Sequence, residues 1–253
     1  MVLVSEEIIA VLRAAGCVFA EDEAAVLIEA AHDETALAAM VRRRAQGEPL
    51  EQVVGFADFA GVRVRLRPGV FVPRVRSELL VREAVRRIAD RAVVVDLCCG
   101  SGALGLAVMR HRPGIALYAA DVDPVAVACA RDNLAGRGEV FEGNLFDPLP
   151  RGLVVDVLLA NVPYVASGHI PFLPGEARDH EPRTALDGGD DGLDVLRSVA
   201  AEAPRWLAPG GVLLSEITDA QTDDATAAVS SAGLTAELMT DDDLEATVVL
   251  GVR

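Results

Sequence analysis

Val93-Val94-Val95-Asp96-Leu97-Cys98-Cys99-Gly100-Ser101-Gly102-Ala103-Leu104-Gly105 runs from a short apolar segment straight into a glycine-spaced turn and then into helical periodicity. Glycines at 100, 102 and 105 let the chain turn tightly and bring its backbone close to a ligand, so the stretch reads as strand, binding loop and helix opening. Downstream the alternation continues: a strand over 115–121, a helix over 124–134 with Asp123 as N-cap and Pro124 in its first turn, and a strand over 153–160. A helix over 193–206 and a strand over 212–216 follow. Such alternation predicts an α/β fold, a doubly wound and mainly parallel sheet with its ligands at the carboxyl ends of the strands. The tail reads as a helix over 220–232 and two extended segments, 234–240 and 246–252, suited to an antiparallel pair.

Upstream the pattern differs. Over 5–45 apolar residues recur at helical spacing (Ile8, Val11, Leu12; Ala25, Leu27, Ile28; Leu37, Met40), with breaks at Gly16 and 32–34 that divide three helices. A bundle of about 45 residues buries little core alone, so it is expected to lean on the rest of the chain. Between 47 and 76 the period changes to two, with Val62, Val64 and Leu66 alternating against Arg63, Arg65 and Arg67, the mark of a half-exposed strand. With 56–61 as the preceding strand or turn, a β-hairpin is expected there. Three regions result: a helical one over 1–46, a hairpin linker over 47–76 and the α/β domain over 77–253.

Composition narrows the chemistry. Of 253 residues, 23 are basic and 39 acidic, a net charge of −16, and every basic residue is Arg. A chain without Lys has neither a Schiff-base lysine nor the lysine of a phosphate-binding P-loop. The negative charge disfavours nucleic acid as substrate, and Arg42-Arg43-Arg44 reads as a solvated helix end that complements the dipole. The four cysteines (Cys17, Cys98, Cys99, Cys129) form no CxxC pair and are expected to be reduced thiols. His32, His111, His169 and His180 stand singly, so no metal site is expected. No apolar run approaches the roughly 20 residues that span a bilayer. The start, 1–10, carries Glu6 and Glu7 without a basic region, so a cytoplasmic protein without secretory leader or membrane partner is expected.

The spacing Gly100, Gly102, Gly105 is also that of dinucleotide-binding loops, with Asp121 at the next strand end where an acid accepts from ribose hydroxyls. Asp96, on the strand end before the loop, separates the readings. A dinucleotide places its pyrophosphate on the helix N-terminus, whereas S-adenosylmethionine has no phosphate and carries a sulfonium and an ammonium, which a carboxylate suits directly or through the loop. Cys98 and Cys99 read as compact hydrophobes close to that ligand.

Beyond the strand over 153–160 stands Asn161-Val162-Pro163-Tyr164. It resembles the Asx-Pro-Pro-Tyr signature of methyltransferases acting on planar nitrogen. With Gly47-Glu48-Pro49-Leu50, Phe59-Ala60-Gly61, Val72-Pro73-Arg74 with Glu78, Glu181-Pro182-Arg183, Ala185-Leu186-Asp187-Gly188-Gly189 and Gly192-Leu193-Asp194, the chain resembles the HemK/PrmC family of protein glutamine N5-methyltransferases, which modify release factors. The resemblance spans nearly the whole chain. It implies a seven-stranded Rossmann-like class I methyltransferase domain, a hairpin linker and an N-terminal helical domain that docks the substrate. It places the methionine end of S-adenosylmethionine on Cys98, Cys99, Gly100, Ser101 and Gly102, the ribose on Asp121, and the adenine near Asn144 and Leu145; Asp96, Val122 and Asn161 are also expected to contact the cofactor. Asn161 through Tyr164 would line the transfer site, with the Asn161 oxygen and the Val162 carbonyl accepting hydrogens from the acceptor nitrogen while the Tyr164 ring packs on the planar group.

Three departures from the family pattern touch specificity, two at the acceptor side and one at the adenine. Val162 replaces the first proline, keeping the carbonyl and losing the preset φ. Arg74-Val75-Arg76-Ser77-Glu78 stands where the family has Arg-Pro-Glu-Thr-Glu, a base for an acid at the site mouth. Asn144 stands where the family often has Asp, and its amide oxygen still accepts. Two acceptors follow as expectations: a glutamine in a protein, or a small amine or electron-rich indole beside Phe71, Pro73, Arg74, His180 and Glu181. A dehydrogenase would leave Asn161 to Tyr164 without a task, and a non-catalytic module would not require Asp96, Gly100, Asp121 and Asn161 together.

Overall fold

The computed structural model describes residues 2–253, with side chains from residue 5 onward. Met1, the first residue of the 1–46 region, lies outside the described residues, as do the side chains of 2–4 in the reading of the chain start. Helices α1 (Val2–Ala14), α2 (Ala20–Ala30) and α3 (Glu34–Ala45) pack around Leu12, Ala24, Leu27 and Val41. Asp33 caps α3, its side chain accepting from Ala36 N at 2.7 Å. Arg44 ties the bundle together, buried against Glu23 at 2.5 Å. A short α4 (Leu50–Val54) ends on Gly55 at positive φ and leads into the hairpin of β1 (Phe56–Phe59) and β2 (Val62–Arg65).

After a single 3-10 turn (Val75–Ser77) the main domain begins with α5 (Glu78–Arg87). It continues as β3 (Val93–Leu97), α6 (Ala103–His111), β4 (Ala116–Asp121), α7 (Pro124–Leu134), β5 (Glu139–Glu142) and β6 (Val155–Ala160). A cap segment follows, with α8 (Gly175–His180) between two 3-10 turns; then come α9 (Asp194–Trp206), β7 (Leu207–Ile217), α10 (Thr222–Ser231), β8 (Thr235–Asp241) and β9 (Ala246–Val252). The strand order is β5-β4-β3-β6-β7-β9-β8, with the first five parallel and β9 antiparallel to both neighbours.

Both faces of the central strands are covered, which explains their uninterrupted apolar sequences. Val94 and Leu159 face the core under α5 and α6, whereas Val95 and Leu158 face the one under α9 and α10. Truncating Leu158 or Leu159, both fully buried, is worth about 2–5 kcal/mol each. The chain winds outward through β4 and β5 on one side of β3 and through β6 and β7 on the other. The crevice at the carboxyl ends of β3 and β6 is therefore the topological switch point where such sheets bind ligands. The expected strands and helices are present, with four additions: the helices α4, α5 and α8, and the strand β5. β5 escapes periodicity because it is four residues long at the sheet edge, with only Val140 and Phe141 half-buried.

Candidate active site

The loop after β3 is built by backbone geometry. Cys98 adopts a left-handed φ of 53° and Gly102 one of 76°, and the chain folds back through Gly102 N to Cys99 O at 2.7 Å and Cys99 N to Ala120 O at 3.1 Å. At Gly105 a Cβ would stand 2.9 Å from Leu117, so the third glycine serves the packing of α6 on β4. Gly105 N donates to Asp96 Oδ2 at 3.0 Å, while Asp96 Oδ1, fully buried, has no partner among the described residues. Burial pushes the Asp96 carboxyl up to about 7, the Gly105 N–H pulling back and Asp121 adding to the rise. Asp121 accepts from Gly100 N at 2.8 Å and from Asp123 N at 2.9 Å, and burial, against these donors, raises its carboxyl too. Burial likewise raises the thiols of Cys98 and Cys99, which keeps them from acting as thiolates.

The second wall begins where β6 ends. Glycines of the 188–192 turn press against the Asn161-Val162-Pro163-Tyr164 backbone: a Cβ at Gly188 would lie 2.6 Å from Pro163 O, and one at Gly192 2.2 Å from Tyr164 O. Gln221 Nε2 bonds the same Tyr164 carbonyl at 2.9 Å. Tyr164 Oη donates to Glu216 Oε1 at 2.7 Å, and Arg76 Nε reaches that oxygen at 2.8 Å and the tyrosine hydroxyl at 3.0 Å. Ser77 Oγ donates to Glu216 Oε2 at 2.5 Å and receives Asn161 Nδ2 at 3.2 Å. Burial, reinforced by Glu216, holds the Tyr164 phenol far above its usual range, so it stays a donor. Burial would lower the Arg76 guanidinium, but Tyr164 and Glu216 outweigh it and the net shift is upward.

One cleft of about 450 Å³ joins the two walls. Cys98, Cys99, Gly100, Ser101, Asp121 and Val122 line one end, and Asn161 through Tyr164 the other. Phe71, Pro73 and Arg74 close it from the linker side, and Leu173, Pro174 and Glu176 from the cap segment. Six of the expected site residues lie off its surface. Asp96 and Gly102 sit beneath the loop, and Asn144 and Leu145 follow β5 off the cleft, Leu145 packed against the core that holds Leu97 and Ala120. His180 ends α8 facing the linker, where a Cβ on Gly47 would lie 3.8 Å from its Nε2. Glu181 is buried behind the wall, accepting from Val72 N at 3.1 Å and from Arg74 at 2.6 Å, so it braces Arg74. The base at 76 presents no free charge to the mouth, since Glu216 neutralises it.

Sequence reading missed four side chains. Glu216 and Gln221 come from strand and turn positions whose type alone carries no signal. Ser77 was visible only as part of a motif. Asn133 clasps the linker to the loop, accepting from Arg65 N at 2.9 Å and donating to Ser101 O at 2.9 Å.

Fold and cleft define a class I methyltransferase, a Rossmann-like sheet with its site at the switch point. A methyltransferase from Pyrococcus furiosus shares that fold, with a TM-score of 0.59 at 14% identity over 83% of this chain and 96% of that one. The methyltransferase small domain family matches residues 61–172. A release factor glutamine methyltransferase of Geobacter sulfurreducens is 36% identical over 197 residues, 77% of this chain and 69% of that protein. A 4-amino-L-phenylalanine/4-methylamino-L-phenylalanine methyltransferase of Streptomyces pristinaespiralis is 39% identical over 185 residues, 70% of this chain and 63% of that protein. The chain belongs to the release factor glutamine methyltransferase family, and it is an S-adenosylmethionine-dependent methyltransferase. Among the described residues, no helix is long and apolar enough to cross a membrane.

Proposed function

We propose that this enzyme methylates the side-chain nitrogen of a glutamine in a protein, a release factor by analogy with its relatives, in the cleft between Gly100 and Tyr164. The observation that carries the reading is the continuity of that cleft: a loop suited to a cationic, phosphate-free cofactor opens directly onto Asn161-Val162-Pro163-Tyr164. The unpartnered Asp96 oxygen supports the cofactor, because a buried acid beneath the loop gains a counter-charge when a sulfonium and an ammonium settle above it. Cys98 through Ser101 would hold the methionine end, and Asp121, with lone pairs left after its two backbone bonds, the ribose hydroxyls. Val122 lies exposed next to Asp121 for the adenine.

S-adenosylmethionine supplies an electrophilic methyl on sulfur. The chain's own contribution is to hold the nucleophile. The Asn161 oxygen and the Val162 carbonyl accept the two hydrogens of the acceptor nitrogen, and the Tyr164 ring sets its plane, which aligns the lone pair with the methyl carbon. The same two acceptors stabilise positive charge that grows on nitrogen as the nitrogen–methyl bond would form and the methyl–sulfur bond break, the sulfur leaving as a neutral thioether and one of the two hydrogens then passing from nitrogen to solvent. Asp96, Asp121 and Glu181 take no acceptor hydrogen in this scheme. The helical bundle would dock the protein acceptor, since Arg44 reaches Glu176 of the cap at 2.6 Å and so joins the bundle to the cleft wall.

The Streptomyces pristinaespiralis relative supports a second reading, a small-molecule amine as acceptor, which needs the same in-plane acceptors and aromatic face. Transfer of labelled methyl to purified release factors and to a small-molecule extract separates the two. Label in a release-factor glutamine supports the protein acceptor; label confined to a small amine overturns it in favour of the second reading.

A further inference from the structure

Glu216 lies near the end of β7, 2% exposed, two residues past the pairing of Leu214 with Leu159, and Ser77 links it to Asn161 just beyond the end of β6. Its carboxylate collects three donors from two segments, Arg76 and Ser77 from the turn before α5 and Tyr164 from the loop after β6. A serine hydroxyl carries one hydrogen. With that hydrogen on Glu216 Oε2 at 2.5 Å, Ser77 Oγ can only accept from Asn161, whose Nδ2 stands 3.2 Å away. The Asn161 amide is thereby locked with its NH2 toward Ser77. Among the described residues its oxygen has no hydrogen-bond partner, and the residue lines the cleft.

We propose that Glu216 and Ser77 are positioning residues for methyl transfer: the buried carboxylate orients the Asn161 amide through Ser77 and fixes the Tyr164 ring through its hydroxyl. This rests on the reading of Asn161 as the acceptor of substrate N–H hydrogens. A flipped amide would present its NH2 to a substrate that also donates, and the favourable contact would become a repulsive one. Arg76 balances the carboxylate, so the base found where the family has an acid acts inside the wall and not as an anion receptor at the mouth. The relay therefore spans three segments, 76–77, 161–164 and 216, and Glu216 and Ser77 deliver no group of their own to the substrate.

The test compares Ser77→Ala, Ser77→Thr, Glu216→Gln and Asn161→Ala, reading kcat, acceptor KM, S-adenosylmethionine affinity by calorimetry and the Asn161 side-chain amide signal by nitrogen-15 NMR. Ser77→Ala should lower kcat about 10-fold to 100-fold, as loss of a transition-state contact does, with cofactor affinity unchanged. Ser77→Thr keeps the hydroxyl and should restore most of kcat, which a merely structural role for the small side chain would not do. Glu216→Gln, with a single acceptor oxygen, should fall between them. The Asn161 amide signal should be dispersed in the wild type and in Ser77→Thr, and collapse toward the solvent-averaged position in Ser77→Ala whatever the acceptor. Full turnover and an unchanged amide signal in Ser77→Ala, beside loss of turnover in Asn161→Ala, overturn the positioning role alone. Retained turnover in Asn161→Ala overturns the reading of that residue and this proposal with it.

Discussion

The two walls of the cleft are made differently. The wall at Gly100 is a single contiguous stretch whose shape comes from backbone: positive φ at Cys98 and Gly102, and backbone donors into Asp96 and Asp121. The wall at Tyr164 is made of side chains drawn from three distant segments and joined by Glu216. A backbone wall tolerates changes in side chains that keep its glycines and acids, and in the proposed function it is the wall that takes the cofactor. A side-chain wall can be re-tuned one residue at a time, and it is there that this chain departs from its family, at Val162, Arg76 and Ser77. The cofactor site is thus expected to be fixed and the acceptor site adjustable, with mutations on one wall leaving the other's task intact.

That separation can be broken at several strengths. The largest effect is expected for Tyr164→Ala, which removes the aromatic face and the Glu216 contact together: turnover should fall about 100-fold with cofactor affinity within about twofold, measured by initial rates and calorimetry. Next, Asp121→Ala on the other wall should weaken S-adenosylmethionine about 10-fold to 100-fold, the range for lost hydrogen bonds to a charged group, while turnover at saturating cofactor drops little. Equal loss of affinity in both variants would erase the distinction between the walls.

A smaller effect concerns pH. Asp96 titrates near 3.8 when unfolded and at about 7 in the free protein, chiefly because it is buried. The folded state then holds a proton that the unfolded state has released, so the contribution to stability is present below 3.8 and is lost as pH rises through about 7. A bound cation favours the ionised carboxyl, so affinity for S-adenosylmethionine should tighten about fivefold from about pH 6 to about pH 8, with proton release on binding. Asp96→Asn should flatten both dependences, in thermal melts and in titrations.

The smallest effect on the cleft is expected from the bundle. Arg44→Met leaves Glu23 without its buried partner and should destabilise the bundle by about 3 kcal/mol. Cofactor affinity should stay unchanged, and kcat/KM for a protein acceptor should fall about threefold through the lost contact with Glu176.

What the sequence disclosed follows the same division. The 93–105 stretch could be read directly because its glycines, its apolar run and Asp96 are neighbours in the chain, and Asp121 follows one strand later. Asn161 to Tyr164 was legible as a local motif. Glu216 was not, because it occupies an ordinary strand position and acquires its role only from the register of β7 on β6. His180 and Glu181 show the opposite case: residue type suggests chemistry, but the end of α8 turns them toward the linker, and Glu181 is occupied by Val72 and Arg74. The effect of Arg76 likewise depends on a partner 140 positions away in the chain.

The most direct measurement is a pair of titrations on Asn161→Ala and the wild type: S-adenosylmethionine binding by calorimetry, and single-turnover methyl transfer at saturating cofactor. We expect the dissociation constants to agree within about twofold while transfer falls at least about 100-fold, the usual scale for removing one transition-state hydrogen-bond partner. Transfer at the wild-type rate, or a cofactor affinity that falls in step with transfer, would contradict the assignment of Asn161 to the acceptor wall.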